Sequence, residues 1–76
     1  MKRASSAETP EERFKRIATL RTNAVLYKIR LLGNLANKQR YRYSEKDVNK
    51  IFSALNKQIR EVRAKYNSQK GKNFKL

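Results

Sequence analysis

Residues 13–43 read RFKRIATLRTNAVLYKIRLLGNLANKQRYRY. This stretch holds nine Lys and Arg residues and no Asp or Glu. It also carries most of the large apolar residues of the N-terminal half. An apolar pattern and an uncompensated positive field therefore share one segment. The first asks for helix packing and the second for an acidic partner.

At 100° per residue the apolar positions of this stretch fall into two stripes. Phe14, Ala18, Val25, Ile29 and Leu32 form the first; Ile17, Leu20, Ala24, Tyr27 and Leu31 form the second. Arg21 and Lys28 lie between them, where long stems snorkel past an apolar surface or meet an acidic partner. A surface helix normally shows one stripe, so two stripes predict two packing partners.

The helix has a strong start upstream. Thr9 is a capping residue, Pro10 suits the first helical position, and Glu12 completes a capping box. Glu11 and Glu12 also complement the helix dipole. The predicted helix spans about residues 10–32 and stops at Gly33-Asn34. Residues 33–43 are expected to connect, with Gly33, Asn34 and Asn37 as turn formers. Within them Arg40-Tyr41-Arg42-Tyr43 alternates, so an extended segment would separate the two Arg from the two Tyr.

Ser44-Glu45-Lys46-Asp47 opens a second predicted helix, about residues 44–67, with Ser44 as cap and Tyr43 and Val48 as a hydrophobic staple. Val48, Phe52, Leu55, Ile59, Val62 and Tyr66 recur at spacings of four and three, a coiled-coil heptad seam that Ile51 widens. Lys46, Lys50 and Lys57 take the outer face. Residues 1–8 read as a disordered arm and residues 68–76 as a disordered basic tail. The expected fold is all-α: an antiparallel helical hairpin over residues 9–67. Its second stripe (Leu20, Ala24, Tyr27 and Leu31) dimerises it into a four-helix bundle.

The totals narrow the function. The chain has 76 residues, a formal net charge of +14, no Cys and no His. Such a small domain is marginal alone. Without disulfides or the usual zinc ligands, oligomerisation or a partner is its remaining support. Self-repulsion at this charge calls for a polyanion, most commonly nucleic acid. No apolar run approaches a membrane span, and MKRASSAETPEERF lacks the apolar core of a secretory signal, so a cytoplasmic setting is expected. Catalysis is not expected: there is no Gly-rich phosphate loop, and five of the six acids stand at helix starts. No metal or cofactor is implied.

The candidate nucleic-acid contacts are Arg30, Lys38, Arg40, Tyr41, Arg42, Lys46 and Lys50, acting on phosphates of DNA or RNA. Tyr41 either stacks on an unpaired base or packs against the protein. A helix-turn-helix needs a shorter turn and three short helices, so binding to backbone or shape is expected rather than sequence reading. The alternative is a protein-interaction module: an inhibitor or accessory subunit docking on an acidic surface of a polymerase, nuclease or other nucleic-acid machine. A structural ribonucleoprotein component is a third reading.

The segment RLLGNLANKQRYRYSEKDVNKIFSAL, residues 30–55, resembles a family of small, uncharacterised bacterial and phage proteins. Their pattern is a helix ending in an LxGNL-type turn, then Y-x-Y-[ST], then an acid-rich D-V-x-K-I-F helix. The resemblance implies a bacterial or phage origin and a helical hairpin, and brings no activity to carry over. Arg42 stands between the tyrosines where the family pattern has an acid, which makes this a more basic member.

Overall fold

The computed structural model describes residues 7–71, and the side chains of residues 7–69. The described residues are all-α, with two long helices and one short 3-10 turn. The chain divides between Tyr41 and Arg42 into two units. Residues 1–6 of the expected arm and residues 72–76 of the expected tail lie outside the described residues.

In the first unit, helix α1 spans Pro10–Gly33. Its start is built as the sequence predicts. Thr9 is extended, with φ −74° and ψ 161°, and its hydroxyl accepts from the Glu12 N–H at 3.1 Å. The Glu12 carboxylate accepts from the Thr9 N–H at 3.0 Å. Two donors that a helix start leaves without intrahelical partners are thereby satisfied.

The end of α1 differs from the expected glycine stop. Gly33 stays helical, with φ −61° and ψ −28°. The Asn34 N–H is shared among the carbonyls of Arg30, Leu31 and Leu32, which tightens the last turn into the 3-10 segment Asn34–Ala36. The break falls at Asn37, where ψ opens to 103°. Its side-chain carbonyl accepts from the Gln39 N–H at 2.9 Å, and its backbone carbonyl accepts from Arg40 at 3.1 Å and Tyr41 at 3.0 Å. This is Asx-turn chemistry. It sets Arg40 in a turn, so the extended alternation expected from Arg40 onward does not begin there.

In the second unit, helix α2 spans Glu45–Gly71. Ser44 and Asp47 form a reciprocal box: Asp47 N–H to the Ser44 hydroxyl at 3.0 Å, and Ser44 N–H to the Asp47 carboxylate at 2.9 Å. Asp thus performs the role usually held by Glu or Gln. Tyr43 and Val48 are both half-buried, as a hydrophobic staple requires. The helix runs four residues past the predicted end at Asn67. Asn67 and Ser68 are only mild helix breakers, and no strong one follows Ser44 until Gly71. Residues 68–71 are therefore helical rather than part of a tail.

No described residue is buried. On α1, Ile17, Ala18 and Leu32 are half-buried, whereas Leu20 is 64% and Tyr27 51% exposed. On α2, Val48 and Leu55 are half-buried, while Phe52, Ile59 and Val62 are exposed. In proteins most of a helix's stability comes from packing its amphipathic face rather than from propensity. Each helix has its own capping box, and most large apolar residues of its stripe are exposed.

Candidate nucleic-acid interface

The interface begins with what happens to the acids. The chain has six Asp and Glu against twenty Lys and Arg. Glu12 and Asp47 are engaged in the capping boxes. Glu11 and Glu45 occupy the first turns of α1 and α2, at the positive ends of their dipoles. Glu61 pairs with Lys57 at 3.7 Å, one turn apart on α2. Glu8 grips Arg16 through both oxygens, at 2.7 and 2.9 Å. That hydrogen bonding holds the Glu8 carboxyl below the usual range against an opposing desolvation, with smaller help from the charges of Arg16 and Arg13. The same bond raises Arg16 further above its ordinary value.

Each acid thus has a local structural task. The candidate cations lie on exposed surface: Arg30, Lys38, Arg40, Arg42, Lys46 and Lys50 are all exposed. They fall into two groups. In the first unit, Lys38, Arg40 and Tyr41 sit on the turn closed by Asn37. Tyr41 is 42% exposed, so part of its ring face is open. Arg30 lies one turn from the end of α1, with its guanidinium 5.9 Å from the Tyr27 ring centroid. At that distance the ring's negative face attracts the cation, which ties a candidate phosphate contact to a residue of the second stripe.

In the second unit, Arg42 precedes α2 and Lys46 and Lys50 lie on its outer face, one turn apart. Lys57 falls on the same face, two turns further on.

Two features of this surface escaped the sequence reading. Glu8 precedes the helix, so its pairing with Arg16 follows no helical spacing rule. Arg60, Arg63 and Lys65 extend the basic character of α2 well beyond Lys50. A charge map of the helix surface, in place of attention to the connector, finds them.

Among the described residues there is no cluster of potential metal ligands, and no helix is long and apolar enough to cross a membrane. No family model, curated protein or solved structure matches this chain.

Proposed function

We propose that this chain is a small non-catalytic nucleic-acid-binding protein that grips the phosphate backbone of DNA or RNA. One observation carries the reading: the six acids go to helix starts and to the local Glu8–Arg16 and Lys57–Glu61 pairs, while residues 13–43 hold nine cations, Arg16 among them, and no acid of their own. A polyanion is the ligand that relieves such a field. Arg40 and Arg42 supply planar forks that match phosphate oxygens, and the lysines act as point charges. Each contact releases condensed counterions, which makes affinity steeply salt-dependent.

In this reading the two helices close as a hairpin through the first stripe of α1 and the seam of α2, in a protein of bacterial or phage type working in the cytoplasm. The two capping boxes support the helices of this reading, and the exposed apolar residues of both leave surface for such a closure to cover. The test is anisotropy of a labelled duplex DNA and a labelled single-stranded RNA, titrated with the full chain across a salt series. A steep log–log slope on at least one ligand supports the proposal. Absence of binding to both at about 50 mM salt overturns it, because counterion release is strongest there.

A further inference from the structure

The second stripe of α1 has a pattern that its apolar residues alone do not reveal. Arg13, Ile17, Leu20, Ala24, Tyr27 and Leu31 recur at spacings of four and three, a heptad seam with a cation at its N-terminal end. Arg21 and Lys28 flank it on one side, and Arg16 and Arg30 on the other. No acid lies on either flank. Leu20, Tyr27 and Leu31 are exposed, and Arg30 leans over the Tyr27 ring.

A second copy of the same face is a poor cover. Antiparallel pairing sets Arg21 against Arg21 or Lys28 of the second copy, and Arg16 against its Arg30. Parallel pairing sets Arg16 against Arg21, and Asn23 against Lys28. No flanking pair sets an acid against a cation, and the like charges that do face each other across the seam select against that partner. Glu8 already occupies the Arg16 guanidinium, which leaves Arg21, Lys28 and Arg30 as the uncompensated fringe. The dimer that the apolar pattern suggests is opposed by the charges beside it.

We infer that this face is the docking site for an amphipathic helix of a different protein, one whose apolar seam is flanked by Glu or Asp. The charges that repel a second copy attract such a helix on both flanks. Ala24 at the centre of the seam admits close approach of a helix backbone, with larger Leu20, Tyr27 and Leu31 around it. A lipid surface gains nothing from a small residue there, since interfacial binding grows with buried apolar area. The face shares Arg30 with the candidate phosphate contacts but uses neither Arg40 nor Arg42, so the same chain can join an acidic protein to nucleic acid.

The probe is a labelled peptide of about four heptads, with Leu on its seam and Glu on both flanks. One control has Lys on the flanks, and another keeps Glu but replaces the seam Leu with Gln. The full chain should bind the first peptide and neither control. Leu20→Gln with Tyr27→Gln should weaken binding about tenfold or more, since both side chains lose apolar cover. Both residues are largely exposed, and an unchanged far-ultraviolet circular dichroism spectrum verifies that α1 persists. Arg21→Glu with Lys28→Glu should reverse the preference toward the Lys-flanked peptide. The Arg40→Ala, Arg42→Ala chain should bind the Glu-flanked peptide like wild type, which separates this site from nucleic-acid binding. Equal binding of the Glu peptide lacking its Leu seam overturns the inference in favour of bare charge attraction. A dimer in sedimentation equilibrium that Leu20→Gln dissociates overturns it in favour of a second copy. Binding to phosphatidylglycerol vesicles without binding to the peptide overturns it in favour of a membrane surface.

Discussion

Replacing Arg40 and Arg42 together by alanine is the sharpest probe of the proposed phosphate contacts. The six candidate cations are Arg30, Lys38, Arg40, Arg42, Lys46 and Lys50. If each meets one phosphate of a duplex, the slope of log affinity against log salt is about −5.4, from roughly 0.9 per contact. Removing two contacts leaves a slope of about −3.6. Between about 50 and 200 mM salt, wild type should lose roughly 1,700-fold in affinity and the variant roughly 150-fold. The gap between the two proteins therefore shrinks about tenfold over that range, a change read directly from anisotropy titrations at four or five salt concentrations. The fold should not move. Arg40 contributes its backbone N–H to Asn37, which alanine keeps, and both side chains are exposed. A parallel pair of salt curves, offset but equal in slope, refutes the assignment of these arginines to phosphate. A lower melting temperature refutes the claim that they lie outside the packing.

Other expectations follow from single interactions. Thr9→Ala and Ser44→Ala each remove one side of a capping box and should lower helix stability by about 1 kcal/mol each, measured by thermal circular dichroism. Tyr41→Ala should weaken single-stranded RNA by about 1–3 kcal/mol while sparing duplex if the ring stacks on bases; equal loss on both with a lower melting temperature assigns the ring to packing. The Glu8 carboxyl, held low by Arg16, contributes its pairing at neutral pH and loses it as pH falls through the lowered value of the folded state. Carbon-detected titration should show Glu8 ionising below an ordinary glutamate, and Arg16→Ala should return it to the ordinary range.

How much was legible in the sequence varied with the range of the interaction. Both helix starts were read to within a residue, because Thr9 with Glu12 and Ser44 with Asp47 are local pairs whose partners lie three positions apart. The helix ends were less legible. Gly33 offered an obvious stop, yet Asn34 found three carbonyls within reach by tightening into a 3-10 turn, so the chain had no need of a left-handed glycine. Asn67 and Ser68 looked like an end, but a preference of tenths of a kcal/mol is too weak to stop a helix already propagating. At the connector, Asn37 was named as a turn former. That its two carbonyl groups capture three N–H donors was not readable, because residue type does not reveal which donors a side chain takes. The cations of the candidate site were identifiable by charge alone, whereas the Glu8–Arg16 pair depended on a path of the chain before the helix.

The positive charge that favours an anionic ligand also governs what such a ligand does to the protein. Residues 1–41 carry ten Lys and Arg against three acids, and residues 42–76 carry ten against three, so each unit has a formal charge of +7. Neither unit has a buried residue among those described to offset that repulsion. Surface pairs such as Lys57–Glu61 contribute little in water. An anion that engages the helical chain therefore supplies countercharge in the same step as it is bound, and by linkage it stabilises the helices it selects, by about 2.7 kcal/mol at a hundredfold excess over Kd. Part of the intrinsic affinity is spent ordering the helices, so the apparent affinity is the intrinsic one multiplied by the fraction of chains already helical. Salt then acts in two opposed directions: it competes for the phosphate contacts and relieves the repulsion inside the free protein. The first effect dominates for a ligand with six contacts, because displaced counterions enter once per contact while screening of the free chain acts only on exposed charges spread along two helices. Affinity for nucleic acid is thus expected to fall with salt even as the unbound chain gains helix.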